Sequence, residues 1–89
     1  MRLIYAVFIL LLALMTSAQC QQTAEDWFNK GVALNGLGKY DDAIQAYDKA
    51  IELNPKYAEA WYNKAVILLV DQGKSEEAIP VMIKAVELN

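Results

Sequence analysis

Residues 27–54 read WFNKGVALNGLGKYDDAIQAYDKAIELN, and most of this stretch occurs a second time in the chain. AEDWFNKGVAL at residues 24–34 returns 34 residues later as AEAWYNKAVIL at 58–68, with seven of eleven positions identical. AIQAYDKAIELN at 43–54 returns 35 residues later as AIPVMIKAVELN at 78–89, with seven of twelve positions identical. A period of this size is typical of proteins built from stacked repeats.

The two repeated segments differ by one residue in their spacing. The period is 34 residues in the first segment and 35 in the second, so one residue has been inserted between Val66 and Ala78. Glycine marks turns between periodic segments. The sequence therefore predicts that the insertion lies in the turn that holds Gln72 and Gly73.

Apolar and small residues recur with helical spacing in each half of a unit. Trp27, Gly31 and Leu34 stand at i, i+4 and i+7, and a second stripe with the same spacing begins at Ala43. The small residues Gly31 and Ala43 allow two antiparallel helices to approach closely. The pattern predicts helices over residues 24–37, 41–53, 58–71 and 76–88.

These positions resemble the sequence pattern of the tetratricopeptide repeat (TPR) family. In the first unit the pattern is met by Trp27, Gly31, Tyr40, Ala43, Tyr47, Ala50 and Pro55. In the second unit it is met by Trp61, Ala65, Ala78, Met82 and Ala85, with alanine in place of the glycine and methionine in place of the aromatic residue. The resemblance implies an all-α fold with two helix-turn-helix repeats, 24–57 and 58–89. They would form a short right-handed α-solenoid without a capping helix.

The N-terminus carries a separate apolar segment. Residues 3–15 contain thirteen residues without a charge and follow Met1 and Arg2. A membrane-spanning helix needs about 20 such residues, so the length favours a signal peptide over residues 1–18, cleaved after Ala18. Cleavage after Cys20 and an uncleaved anchor through residues 3–18 are the alternatives.

Export of the repeats is expected with either a signal peptide or an anchor, because Arg2 favours the cytoplasmic side. Residues 19–23 would form a polar joint before the first repeat, in a secreted, periplasmic or cell-surface protein. Cys20 lies where a bacterial lipoprotein cysteine would lie, but Gln19 stands where that signal has a small residue. Lipidation of Cys20 is therefore a minor alternative.

Local signals also predict how two helices begin. Thr23 is a candidate N-cap, with Asp26 at the third helical position completing a capping box. Ser75 is the candidate N-cap of the last helix. Pro80 lies a little further along that helix, where it removes one backbone donor.

The composition offers little for catalysis. The chain has no histidine, and its single cysteine and single arginine lie outside the repeats. Asp41-Asp42 and Glu76-Glu77 are paired carboxylates at predicted helix starts, where they stabilise the helix N-terminus. The sequence predicts no enzyme activity, cofactor or metal site. The net charge of −3 also disfavours nucleic acid as a partner.

The TPR resemblance implies a concave groove that binds a protein or peptide partner. Asn29 and Asn63 match the family position whose amide often bonds to a bound peptide backbone. The lysine and arginine clamp by which some TPR domains hold carboxyl termini is not reproduced. The predicted groove residues are Glu25, Phe28, Asn29, Val32, Asn35, Glu59, Tyr62, Asn63, Val66 and Leu69.

The last helix is more apolar than its counterpart in the first unit. Gln45, Ala46 and Asp48 are replaced by Pro80, Val81 and Ile83. Val81 and Ile83 therefore form a predicted association face, covered by a second copy, another protein or a membrane. The sequence thus predicts an adaptor or scaffold with a groove ligand. The alternative is a self-assembling protein or membrane-complex subunit that uses this face.

Overall fold

The computed structural model describes residues 2–7 and 22–89. All regular structure in these ranges is helical, which confirms the all-α prediction. The helices are α1 (residues 2–7), α2 (Ala24–Gly36), α3 (Tyr40–Leu53), α4 (Ala58–Val66) with a π-helical continuation (Ile67–Asp71), and α5 (Ser75–Leu88). α2 packs against α3, α4 against α5, and α3 against α4, so the two helical hairpins are stacked.

The predicted capping box at the start of α2 is confirmed. Thr23 Oγ1 accepts a hydrogen bond from the Asp26 backbone N–H at 3.1 Å. Asp26 Oδ2 in turn accepts one from the Thr23 backbone N–H at 3.1 Å. Two N–H groups that would otherwise lack a partner at the helix end are thereby satisfied.

Tyr47 is the largest fully buried side chain, together with Ile67. It forms the buried centre of the fold with Ala43 and Ile67, so residues of both units share one core. The half-buried side chains packed around this centre are Phe28, Leu34, Tyr40 and Ile44.

Gly31 lies where α2 and α3 approach most closely. A Cβ atom at this position would lie 2.6 Å from Cε1 of Tyr47, inside van der Waals contact. The corresponding pair in the second unit is Ala65 and Met82, and Ala65 is fully buried. The ring of Tyr47 therefore requires glycine in the first unit, whereas the flexible methionine of the second unit coexists with a methyl group.

The inserted residue lies in the last turn of the helix and not in the loop, so its predicted position is wrong. The N–H of Leu37 bonds to the carbonyl of Ala33, four residues back, at 3.2 Å. Its repeat counterpart, Gln72, bonds to Ile67, five residues back, at 3.0 Å. The extra residue widens one α-turn into the π-helix Ile67–Asp71.

The two inter-helix turns are equivalent because the π-helix absorbs the insertion. Each turn has its glycine in the left-handed region, with φ of 77° at Gly38 and 63° at Gly73. A lysine follows each glycine, and the next residue begins the helix. Ser75 is therefore the first helical residue and Lys74 the N-cap, without a side-chain capping bond. The prediction of Ser75 as N-cap was wrong, because the glycine sets where the helix starts.

Most of the predicted signal peptide lies outside the described residues. Residues 2–7 of the predicted segment 1–18 are helical and exposed. Met1 and residues 8–21 are not described, and they include both candidate cleavage sites and Cys20. Within the described residues, no helix combines the length and apolar content that spanning a membrane requires.

Candidate functional site

The predicted groove residues lie on α2, on α4 and on its π-helical continuation, and they divide into two classes of exposure. None is fully buried. The exposed ones are Glu25, Asn29, Val32, Glu59, Tyr62 and Leu69, and the half-buried ones are Phe28, Asn35, Asn63 and Val66. The exposed set includes three large apolar side chains, each with about half of its surface accessible: Val32 45%, Tyr62 52% and Leu69 46%.

Phe28 belongs to an aromatic cluster that links α2, α3 and the residue just before α4. Its ring centroid lies 5.7 Å from that of Tyr47 and 5.1 Å from that of Tyr57. Tyr57, just before α4, was missed by the groove prediction, although its place two residues after Pro55 put it near the next helix. Phe28 therefore packs inside the fold beneath the predicted groove and offers a partner only part of its ring.

Two carboxylates act on the hydroxyl of Tyr57. Burial raises the pKa of Tyr57, and the negative charges of Glu59 and Glu25 raise it further. Glu25 is in the first turn of α2 and Glu59 in the first turn of α4. Glu25 precedes Phe28 by one helical turn and Glu59 follows Tyr57 by two residues, so both carboxylates flank the contact between these two rings.

Asn29 and Asn63 have different surroundings, although their sequence positions are equivalent. Asn63 Nδ2 donates to the hydroxyl of Tyr47 at 3.5 Å, a long hydrogen bond in a partly buried position. Burial raises the pKa of Tyr47, and the bond from Asn63 partly offsets this rise. Asn29 is exposed. Only Asn29 therefore presents its whole amide to a ligand.

The lysines next to the asparagines are directed to partners other than the predicted groove residues. Lys30 Nζ lies over the ring of Trp27, 4.8 Å from the centroid. Lys64 Nζ forms an ion pair with Asp48 Oδ1 at 2.6 Å. The predicted groove residues thus include two carboxylates and no cationic side chain.

A second concave surface, which the sequence analysis missed, lies between α3 and the start of α5. It has a volume of about 660 Å³. Gln72 and Asp41 are at one end, where Gln72 Nε2 donates to Asp41 Oδ1 at 2.6 Å. Its lining mixes both charges with apolar groups: Asp41, Ile44, Gln45, Lys64, Leu68, Gln72, Lys74, Glu77, Pro80 and Val81. No sequence motif marked it, because its residues come from three different helices and one loop.

The paired carboxylates lie in first helical turns, as the sequence predicts. Asp41 and Asp42 are in the first turn of α3, and Glu76 and Glu77 are in that of α5. Within residues 2–7 and 22–89, no group of three or more acidic or cysteine side chains is arranged to hold a metal ion.

The outer face of α5 carries an exposed apolar stripe. Ile79, Ile83 and Val86 are 58%, 53% and 68% exposed, and we call these three residues the terminal stripe. Val81, predicted as part of the association face, is half-buried and lines the surface toward α3. The counterparts of Ile79 and Val86 on α3, Ile44 and Ile51, are half-buried. Packing of α4 on α3 accounts for the difference.

Comparison with known proteins places the repeats in a family. One family model described as tetratricopeptide repeat matches residues 24–57. A second model with the same description matches residues 46–79, which begins within α3 and ends within α5. Together the two matches span residues 24–79, more than half of the chain.

Similar individual proteins have varied names. An uncharacterized protein of Methanocaldococcus jannaschii, MJ0572, is 46% identical over 55 residues, covering 62% of this chain and 63% of that protein. Photosystem I assembly protein Ycf3 of Acaryochloris marina is 35% identical over 51 residues, covering 57% of this chain and 31% of that protein. A solved structure of a MamA mutant matches with a TM-score of 0.72 and 34% identity, covering 75% of this chain and 48% of that one.

Each of these matches covers less than two thirds of the other protein's length. Both family models describe tetratricopeptide repeats within the repeated part of the chain, and the solved structure shares the helical architecture. The sequence pattern, the stacked hairpins and these comparisons agree: the chain belongs to the tetratricopeptide repeat family.

Proposed function

We propose that this chain is an adaptor or scaffold that binds a peptide or partner protein in the groove formed by α2 and α4. Proteins of the family generally mediate protein–protein interaction and are not catalysts. The observation that carries the proposal is the exposure of three large apolar side chains, Val32 on α2, Tyr62 on α4 and Leu69 on its π-helical continuation. Burying such side chains against a partner is favourable.

Asn29 supplies the polar part of the proposed binding surface. Its amide both donates and accepts hydrogen bonds, so it can satisfy a peptide N–H and a carbonyl at once. Asn63 has one donor engaged by Tyr47 and offers its oxygen and its second N–H. In this proposal the apolar side chains supply most of the affinity, and the asparagines align the partner's backbone.

The name of one similar protein is consistent with this role. Ycf3 is named an assembly protein for photosystem I. An assembly factor must bind other proteins, and we propose that this chain likewise binds partners of its own.

We further propose that the repeats act outside the cytoplasm, exported by residues 1–18 or anchored through residues 3–18. Sequencing the N-terminus of the mature protein tests the cleavage after Ala18.

The groove proposal is tested by placing a photo-crosslinking amino acid at Tyr62. The matched control is the same amino acid at Leu53, which is 49% exposed on α3 and belongs to neither the groove nor the terminal stripe. We expect a discrete crosslinked partner from position 62, and loss of that product when Asn29→Ala and Val32→Ala are added. Equal crosslinking from both positions, or no effect of the two substitutions, would contradict groove binding.

A second candidate function is assembly through the terminal stripe. The observation that favours it is the exposure of Ile79, Ile83 and Val86, whose counterparts on α3 are covered or polar. Light scattering on the purified full-length chain over a range of concentrations measures the association. If the stripe drives assembly, Ile83→Asp lowers the mass, while Val32→Asp in the groove leaves it unchanged. An unchanged mass in the Ile83→Asp variant would eliminate this candidate.

A further inference from the structure

We infer that the groove selects an extended segment that carries an arginine or lysine together with a neighbouring apolar side chain. This inference rests on the proposed groove binding and adds the chemistry of the partner. It follows from how apolar, aromatic and charged side chains are distributed across α2 and α4.

The apolar part of the groove lies toward the C-terminal ends of its two helices. Val32 is in the third turn of α2, and Leu69 lies in the π-helix that continues α4. Both are close to half exposed, and Val66 beside them is half-buried. Residues C-terminal to the asparagines thus offer a partner an apolar contact from both units, which favours an aliphatic side chain there.

The opposite edge of the groove is acidic. Glu25 and Glu59 are both exposed. Glu25 lies one helical turn before Phe28, Glu59 lies two residues after Tyr57, and the rings of Phe28 and Tyr57 are 5.1 Å apart. A partner that lies over this edge therefore meets two carboxylate side chains. A basic side chain would gain attraction there, whereas an acidic one would be repelled.

Among the described residues, neither Glu25 nor Glu59 forms an ion pair. The neighbouring lysines of α2 and α4 are Lys30 and Lys64. Lys30 lies over Trp27, and Lys64 is paired with Asp48 on α3. Neither is drawn to Glu25 or Glu59, so the charge of the acidic edge is left for a ligand. The same arrangement disfavours capture of a free C-terminal carboxylate.

Aromatic groups next to the carboxylates make arginine the better basic partner. Phe28 and Tyr57 are half-buried, with ring centroids 5.1 Å apart. Tyr62 lies one helical turn after Glu59 on α4 and is 52% exposed, so its ring offers the larger accessible face. A guanidinium group can stack on an aromatic face while it forms hydrogen bonds to a carboxylate, which an ammonium group does less well. Charge and aromatic surface therefore point to the same side chain.

Synthetic peptides provide the probe. Each is labelled, short and neutral apart from one arginine, which is separated from one leucine by a varied spacing. Matched peptides replace the arginine by citrulline, its neutral isostere, or by glutamate. Fluorescence anisotropy with the purified full-length chain measures binding. We expect the best arginine peptide to bind about threefold to tenfold more tightly than its citrulline version, the range for one or two exposed ion pairs.

Charge variants of the protein identify the edge responsible. Glu25→Gln with Glu59→Gln should remove this preference, and added salt should weaken the arginine peptide selectively. The matched control is Glu76→Gln with Glu77→Gln, which also removes two charges from a first helical turn but outside the groove. That control should keep the preference for arginine.

The outcomes separate this inference from the groove proposal. Equal binding of arginine and citrulline peptides, or equal effects of the two double variants, would overturn the basic preference alone. If the Val32→Ala and Tyr62→Ala substitutions leave the peptide affinity unchanged, groove binding itself is wrong. If none of the arginine–leucine peptides binds, the inference is wrong, while crosslinking from Tyr62 still judges the groove.

Discussion

The two repeats share one fold but use different residues where their two helices approach most closely. In the first unit Gly31 admits the ring of Tyr47, which is fully buried. In the second unit Ala65 faces the helix that carries Met82, a half-buried and flexible side chain. The difference teaches that the repeat requires a matched pair of volumes at this contact more than it requires particular residues.

The units also differ in what lies beyond them. α3 is covered by α4, and its Asp48 pairs with Lys64 across that interface. α5 carries Ile83 at the position of Asp48 and leaves it 53% exposed. α3 is therefore more completely packed than α5, and we expect substitutions in the first unit to have the larger effects on stability.

Removal of the central aromatic ring should have the largest effect. We expect Tyr47→Ala to lower the free energy of unfolding by about 3–5 kcal/mol, as for large aromatic residues in other cores. Met82→Ala should cost about 1–2 kcal/mol, because Met82 is already partly exposed. Urea denaturation followed by circular dichroism measures both. Equal losses would show that the second unit is packed as tightly as the first.

The next effect concerns the glycine under the ring. Gly31→Ala should cost about 1–2 kcal/mol, since the strain of overpacking exceeds the roughly 1 kcal/mol that alanine gains in a helix. Tyr47→Met in the same chain reproduces the pair found in the second unit. In that background the cost of Gly31→Ala should disappear. A double-mutant cycle by urea denaturation reports the coupling, and strictly additive changes would contradict the volume-matching argument.

Substitutions at the helix N-termini should lower the stability less than substitutions in the core. Thr23→Ala removes the capping box of α2 and should cost about 1 kcal/mol. Lys74 is the N-cap of α5 but forms no side-chain capping bond. Lys74→Ala should therefore change stability by no more than about 0.5 kcal/mol. Thermal denaturation of both variants tests this contrast, and a smaller loss in Thr23→Ala than in Lys74→Ala would reverse it.

The smallest effect is expected where the second unit departs from the 34-residue period. Val70 lies in the π-helix and is 71% exposed, so its deletion restores an α-turn without disturbing the core. We expect a change on the order of 0.5 kcal/mol, the scale of surface changes. Deleting Asn35 in the first unit, where there is no extra residue, should cost much more. Amide hydrogen exchange along residues 66–74 would show whether the π-turn has closed.

The pattern of identical positions was enough to predict the family, the number of helices and the close approach at Gly31. These predictions succeed because small and aromatic residues at fixed spacing constrain how a helical pair can pack. Spacing alone did not reveal that the inserted residue widens α4. Either a longer loop or a π-turn can accommodate one extra residue. The structure shows which occurs here: the turn keeps its left-handed glycine, so the extra residue lies in the helix before it.

The site was predictable in its positions and not in its contacts. Asn29 and Asn63 are identical in sequence register, yet only Asn63 meets the hydroxyl of Tyr47 from the preceding unit. Tyr57 was missed because it precedes α4, and its role depends on its contact with Phe28 of α2. Contacts between units are set by how the hairpins stack, which a repeat pattern does not encode.

By itself, the sequence determined the repeat, the helical stripes, the capping box at Thr23 and the absence of histidine chemistry, because each depends on residue type and local spacing. Tertiary structure alone decided which side chains remain exposed for a partner. It covered α3 with α4, paired Lys64 with Asp48 and brought the ring of Phe28 to within 5.1 Å of that of Tyr57. Exposure and charge pairing depend on neighbours distant in the chain, and those neighbours meet only when the two hairpins pack.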